Sequence, residues 1–514
     1  MSRLAHPDYP SADRGSAETE LAASKTKSRS QPAKGGTASE SRGIVGNILS
    51  LASGEIVARV IAFFATTYLA RKLEPAGFGM IGFASALFGY LALGVTAGFN
   101  DVGAREVARR PHDAGSIAGS VILIRTVLTF GALTALAITA WCLDKPLSMK
   151  LVIVLMGLSF FSLALDTSWV YKGLERGFPV SVALVMGQLL YVGIVLLVVR
   201  GPEDVTLVPV AQFAGEMVAA IALAIPILCL GKIKLDVRSG LSLLRSSGLR
   251  TVTRMLRTLI YTFDVVVIGL LLSEKQVGLY SAPYRICFLF IAIAATVHVS
   301  YLPALLRAIQ QGPRAACDIA ERSMGISAAL AAPIVAGGAI LAAPLLQTLF
   351  GSEYVEGANA FRLLLLSVGF IFIHAAIYNL LLAADLLKTE VVITGFAAAV
   401  NVTLVLILIP RYGIVGAGFC TALAEGLVLL AGLAVVYRRG IRLNLRSIVR
   451  PILAAVAMGA TLKLLGGGQS LVLYLAVGLS AYLLALIILR GVPEDAQPFL
   501  RNMVASASGW RGRS

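Results

Sequence analysis

The chain has 514 residues, 57% of them hydrophobic and only 14% charged, with a formal net charge of +16. That is too little polar surface to cover a water-soluble globule of this length. The basic residues are scattered through short loops rather than gathered into a stripe, which argues against nucleic acid as a partner.

Residues 1–43 are rich in Ser, Ala, Gly, Lys and Glu and have almost no large apolar groups, so they are predicted to form a disordered cytoplasmic tail. From Ile44 to Arg490, fourteen apolar stretches of membrane-spanning length follow one another. Their approximate bounds are 44–70, 77–100, 117–143, 146–170, 178–200, 206–231, 247–272, 280–303, 321–349, 358–384, 387–409, 413–437, 447–466 and 469–490. Stretches such as Leu151 to Leu165 are apolar on every side, which excludes the alternating pattern of a membrane barrel. The fold class is therefore an all-α membrane protein with about fourteen transmembrane helices. The first stretch contains Glu55 and Arg59 and is too long for the core of a signal peptide, so it is expected to remain as a span.

Loops joining even-numbered spans to the next carry most of the Lys and Arg, among them Arg105, Arg109, Arg110, Lys232, Lys234, Arg238, Arg438, Arg439 and Arg446. Positive charge stays on the cytoplasmic side, so both termini are expected there. Five cysteines, Cys142, Cys229, Cys287, Cys317 and Cys420, show no metal-ligand spacing and are read as buried free thiols. Neither a metal nor a cofactor is expected.

Sliding the chain by 199 residues lays Leu73 to Gly79 over Leu272 to Gly278, and spans 1 and 2 over spans 7 and 8 in the same orientation. Parallel six-helix lobes would give that offset. The resulting division is an N-lobe at 44–231, an inter-lobe cytoplasmic loop at 232–246, a C-lobe at 247–437, two further spans at 438–490 and a cytoplasmic tail at 491–514.

Three motifs carry a resemblance. They are RKLEPAGFG (71–79) followed by GFNDVGAREVAR (98–109), FDVVVIGLLLSEKQVGLYSAPYR (263–285), and IPRYGIVGAGFCTALAE (409–425). With these the chain resembles the Wzx-type polysaccharide flippases of the MOP exporter superfamily over about residues 44–490. The resemblance implies a MOP/MATE-like pair of six-helix lobes around a central cavity opening alternately to each side, plus two C-terminal helices. It also implies a bacterial cytoplasmic (inner) membrane location and a polyprenyl-diphosphate-linked oligosaccharide as cargo. Membrane lipid, a polysaccharide polymerase and export machinery are the partners it suggests, as for O-antigen or exopolysaccharide repeat units.

Span 7 holds charges that a lipid-facing helix would not. Arg250, Arg254, Arg257, Tyr261 and Asp264 follow a 4-3-4-3 spacing, which places them within roughly 80° on one face along about 21 Å of helix. An arginine facing lipid at the bilayer centre costs at least ~2.5 kcal/mol, so this stripe is expected to line water, an acidic partner or an anionic substrate. A guanidinium suits a diphosphate because its fork binds phosphate twice and stays charged at physiological pH. Candidate substrate-binding residues are Arg254, Arg257, Tyr261, Arg59 and Arg285; snorkelling, an Arg257 to Asp264 bridge and an Arg59 to Glu55 pair are the structural alternatives. Asp264, Asp166, Glu216 and His374 are candidates for ion coupling. Trp141, Trp169, Tyr171 and Tyr280 are read as interfacial anchors, with stacking on sugars as the alternative.

Two other functions compete. A multidrug or small-molecule cation antiporter of the same superfamily would need acidic groups in the cavity, which the span 7 arginines oppose. A membrane glycosyltransferase or polymerase would need a large loop presenting carboxylates, whereas the longest gap between spans is about 16 residues, Asp101 to Ser116. No GxSxG, Walker-type, HExxH or paired-carboxylate motif occurs in the loops, so the chain is not expected to be an enzyme.

Overall fold

Apolar runs with every backbone group bonded inside the segment leave helices as the structure for such spans, and helices are what the computed structural model contains. The structure describes residues 36–96, 98–229, 248–441, 443–466 and 470–491; side chains are described from residue 53 onward, without those of 248–251, 253 and 254. The predicted loop 232–246, the tail beyond Gly491 and the side chain of Arg254 lie outside the described residues.

The helices, in order, are α1 (Gly36–Thr96), α2 (Phe99–Arg109), α3 (Ala114–Cys142), α4 (Leu147–Met156), α5 (Ser159–Leu165), α6 (Ser168–Gly173), α7 (Gly177–Val198) and α8 (Leu207–Cys229). They continue as α9 (Gly248–Leu271), α10 (Glu274–Gln311), α11 (Pro313–Ile340), α12 (Ala342–Leu349), α13 (Ala358–Ala383), α14 (Leu387–Arg438), α15 (Arg446–Leu464) and α16 (Leu471–Ile488). Met1–Ile48 is a unit by itself, and its described backbone is the start of α1. Helix thus begins at Gly36, inside the stretch read as a tail, since extending an existing helix is far easier than nucleating one. All that follows concerns Leu49–Ser514.

Among the described residues, eleven helical stretches are long and apolar enough to cross a membrane, and the protein is a multi-pass membrane protein. The sequence-based number is larger for identifiable reasons. α1 and α14, 61 and 52 residues long, are each broken near the middle, at Glu74 (φ 58°, ψ 175°) and at Gly413 (φ 58°, ψ −141°). Pro75 excludes the helical region for Glu74, and Gly413 follows Pro410 by three residues. α9 is not among the eleven because Arg254, Arg257 and Asp264 crowd its apolar stretch.

The 199-residue offset has a physical counterpart where the two halves touch. Gly79 in α1 meets the backbone of Glu274 and Gly278 in α10, and Gly278 meets the backbone of Pro75. Around this crossing Leu73, Phe78 and Phe83 share one apolar core with Ile268, Val277 and Phe350. Polar ties close the same end: Lys145 Nζ lies 3.3 Å from Glu274 Oε1, Arg71 Nε donates to the Leu349 carbonyl at 3.0 Å, and Tyr354 donates to the Ala70 carbonyl at 2.9 Å. At the opposite end, the α6–α7 and α13–α14 turns are built alike. Glu175 and Asp385 take φ of 56° and 58°, and the next amides, Arg176 and Leu386, both reach back five residues at 2.8 Å.

Candidate functional site

The polar face of α9 divides into two buried layers. In the first, Arg257 sits among three other elements. Its Nη2 donates to Glu390 Oε1 at 3.1 Å and to His374 Nδ1 at 3.2 Å, while its Nη1 donates to Tyr261 at 3.3 Å and lies 3.8 Å from Glu425 Oε1. Glu390 and Glu425 come from the two halves of α14 and His374 from α13; all three are buried. Thr394 donates to Glu390 Oε1 at 3.1 Å, and His374 Nε2 faces Glu390 Oε2 at 3.5 Å. In the second layer Asp264 is fully buried and accepts from Tyr280 and from Thr421, the latter at 3.1 Å. Arg257 therefore pairs with carboxylates of other helices, and Asp264 with hydroxyls.

Arg285 is placed differently. It lies eleven residues into α10, about 16 Å along the axis, yet its side chain is exposed. It lines a cavity of about 240 Å³ whose other walls are N-lobe residues, including Thr66, Gln188, Tyr191, Gln212 and Glu216. Among the described residues no hydrogen bond or ion pair reaches its guanidinium. Glu216 is held by Ser162 at 2.9 Å and by Gln212 at 2.8 Å.

The other sequence candidates do not join these groups. Arg59 pairs with Glu55 at 3.9 Å and is 54% exposed, and Lys172 approaches Glu55 at 3.8 Å. Asp166 precedes the N-cap Thr167 of α6 and accepts from the Ser168 amide at 2.9 Å and its hydroxyl at 3.0 Å. Its carbonyl, with that of Leu163, accepts from Arg125, a fully buried arginine that also donates to Asn100 and lies over the Phe99 ring. Of the aromatic residues, Trp141 is 84% exposed, but Trp169, Tyr171 and Tyr280 are buried and bonded to Asp166, Leu223 and Asp264. Those three are neither interfacial anchors nor open to a sugar, because their polar tips satisfy buried acceptors. The cysteines are free, and Cys142 and Cys229, at helix C-termini, are exposed rather than buried.

A second opening is apolar. α15 and α16 leave a groove of about 440 Å³ against the C-lobe, lined by Leu289, Pro333, Leu341, Leu462, Leu475 and Leu479 among others, and reaching Phe63 of α1.

With this architecture in view, the comparisons decide the family. Residues 44–309 match the model of the polysaccharide biosynthesis protein family. The chain belongs to that family. A relative described as "Putative O-antigen transporter" from Escherichia coli K12 is 23% identical over 223 residues, which are 42% of this chain and 53% of that protein. The chain thus spans about half the length of the curated relative it matches. In fold, it is similar to the lipid II flippase MurJ in an inward closed conformation, with a TM-score of 0.73 at 12% identity, covering 86% of this chain and 98% of that one. It is also similar to a multidrug resistance MATE family transporter of the MOP superfamily in an inward-facing conformation, with a TM-score of 0.56 at 14% identity, covering 74% and 95%. The family and MOP-type fold read from the three motifs are borne out.

Glu390 was missed in the sequence as a partner of Arg257, because a carboxylate four residues into a helix reads as an N-terminal charge facing solvent. The signal that was present is that spans 7, 10, 11 and 12 each contain an ionisable residue too costly to leave unpaired.

Proposed function

We propose that this chain is a flippase carrying a polyprenyl-diphosphate-linked oligosaccharide across the bacterial cytoplasmic membrane by alternating access, with both termini cytoplasmic and the tied end facing outward. The observation that carries the reading is Arg285: a guanidinium with no hydrogen bond or ion pair among the described residues, at membrane depth, on a cavity between the lobes. Glu216 shares the cavity without pairing directly with it; leaving a guanidinium without a direct ion pair is costly unless water or an anion reaches it, and a diphosphate is the anion its fork fits. The apolar groove beside α15 and α16 supports the same cargo, since a prenyl tail needs a hydrocarbon-lined route next to a polar one. Arg59 is a peripheral contact in this reading, and Tyr261 holds Arg257.

In a deletion strain, lipid-linked precursor is expected to accumulate on the cytoplasmic face. The wild-type chain and Arg285→Lys restore export, whereas Arg285→Glu at equal membrane level does not. Full export by Arg285→Glu would overturn the assignment of cargo to this cavity. The carboxylates Glu390 and Glu425 favour the cation antiporter instead, and drug extrusion that is lost in Glu425→Gln while precursor export is unaffected would establish that reading.

A further inference from the structure

At the end of the molecule opposite the tied one, the N-terminal parts of α11 and α15 and the last residues of α16 enclose a pocket of about 390 Å³. Arg322, Arg446, Arg450 and Arg490 line it, with Asp318 and Glu321 as its acids. Local folding fixes its walls. Glu321 Oε1 accepts from the Asn444 amide at 2.7 Å, Asn444 Oδ1 accepts from the Arg446 amide at 3.1 Å, and the Ser447 hydroxyl donates to the Asn444 carbonyl at 3.2 Å, which seats the start of α15 on α11. At the end of α16 the Gly491 amide reaches back to the Leu486 carbonyl at 2.8 Å, and Arg490 takes φ 49°, in the left-handed region that favours glycine. Arg450 Nη1 donates to the Arg490 carbonyl at 2.9 Å and so ties α15 to α16. None of these bonds neutralises an arginine. Among the described residues no ion pair joins Asp318 or Glu321 to Arg446, Arg450 or Arg490, and no hydrogen bond or ion pair reaches the guanidinium of Arg446 or Arg490.

The level of the pocket in the membrane follows from helix length. α15 and α16 have 19 and 18 residues, which is about 28 and 27 Å of helix against a hydrocarbon core of about 30 Å. Their ends therefore stand at the headgroup boundary. Val449, Ile452, Ile487 and Ile488, on the same two helix ends, are exposed, so hydrocarbon lies next to the charges. A soluble anion would use the arginines alone, whereas a phospholipid uses both features. We infer that this pocket binds the phosphate of an anionic phospholipid from the cytoplasmic leaflet, whose acyl chains lie on the exposed apolar residues and whose headgroup joins α11, α15 and α16. A guanidinium fork gives a phosphodiester two hydrogen bonds, and Arg446 and Arg490 supply two forks from different helices. Four guanidinium groups outnumber two carboxylates, one of which is engaged by Asn444, so the pocket favours a headgroup with net negative charge over a zwitterionic one.

The test counts lipids retained by the purified full chain in native mass spectrometry, with phosphatidylglycerol, phosphatidylethanolamine or inorganic phosphate added in the same detergent. Binding is read without transport, so the result does not depend on the cargo. The wild type is expected to retain one phosphatidylglycerol at a concentration about tenfold below that needed for phosphatidylethanolamine, and excess inorganic phosphate should not displace it. Arg446→Gln and Arg490→Gln should each weaken this retention about fivefold, the worth of one arginine at a membrane surface. Arg450 is left in place because it holds the Arg490 carbonyl. Arg109→Gln, which removes the same charge from an exposed position outside the pocket, should retain the lipid as the wild type does. Should Arg490→Gln fail to fold, Arg446→Gln decides alone. Equal retention of the two lipids would overturn the inference, as would wild-type retention in Arg446→Gln. An equal loss in Arg109→Gln would assign the effect to overall surface charge, and displacement by inorganic phosphate would make the ligand a soluble anion; either result removes the lipid site.

Discussion

Gly79 and Gly278, 199 positions apart, stand across from each other with room for a side chain on neither. A Cβ on Gly79 would run into the carbonyl of Glu274, and one on Gly278 into the carbonyl of Pro75. Pro75 and Glu274 are separated by the same offset, and so are Gly82 and Ser281, which also meet. The contact is thus two-fold symmetric about an axis between the halves, as parallel repeats require. Glycine is needed at the crossing because backbone meets backbone.

Valine at either glycine is expected to open this end. Overpacking costs about 1–3 kcal/mol, which falls on the state that contains the crossing and spares the one that separates it. With Arg71→Cys and Thr348→Cys as reporters in a chain otherwise free of cysteine, bismaleimide cross-linking should drop several-fold in Gly278→Val. An unchanged yield would show that the crossing does not hold the halves together.

Lys145 and Glu274 bind the same end through charge. Their side chains are 15% and 22% exposed, and Lys145 also reaches the Leu272 carbonyl at 3.4 Å. Lys145→Glu should weaken closure, and Lys145→Glu combined with Glu274→Lys should recover part of it. A double-mutant cycle on the same cross-linking yield is expected to give a coupling of about 1 kcal/mol, the upper end for partly shielded pairs.

Much of the fold was legible because hydrocarbon thickness and loop charge act locally on the sequence. The breaks inside α1 and α14 were visible as Pro75 and Gly413, and the repeat was visible in a seven-residue pattern around Gly79. Periodicity also placed Arg257, Tyr261 and Asp264 on one face of span 7. It did not show what that face meets, since the partners Glu390 and Glu425 lie 133 and 168 positions away. The stripe read as one wet surface is two layers closed by buried partners, whereas Arg285, a candidate already at the end of the 263–285 motif, has no hydrogen bond or ion pair on its guanidinium among the described residues. Arg125 was an isolated intramembrane charge until Leu163, Asp166 and Asn100 closed around it.

Arg125 is expected to matter for stability more than for transport. It fills the break between α5 and α6, where two carbonyls have lost their helical donors. Arg125→Met takes the guanidinium donor from the Leu163 carbonyl and from Asn100 Oδ1, at about 1–3 kcal/mol each, while the Asp166 carbonyl keeps Trp169 Nε1. The thermal midpoint of the purified protein should fall by clearly more than in Asn100→Ala. Arg59→Met, at an exposed pair, should leave it nearly unchanged. Equal midpoints for Arg125→Met and Arg59→Met would mean that the break is held by other contacts.

The groove beside α15 and α16 separates the lipid tail from the headgroup in the proposed cargo. Leu475 and Leu479 line it from α16, 49% and 55% exposed, and neither is needed to bury the core of its own helix pair, which is built on Leu462, Tyr474 and Tyr482. A carboxylate at Leu479, midway along α16, costs about 2.5–3.5 kcal/mol against hydrocarbon, so the variant is compared at equal membrane level, and a hydrocarbon chain in the groove would resist it. Leu479→Asp should therefore reduce export of the prenyl-linked precursor strongly while binding of inorganic diphosphate to the cavity persists. Leu479→Met, with similar volume and no charge, should transport normally. If Leu479→Asp exports at the wild-type rate, the tail travels in the surrounding bilayer and the groove has no part in the reaction.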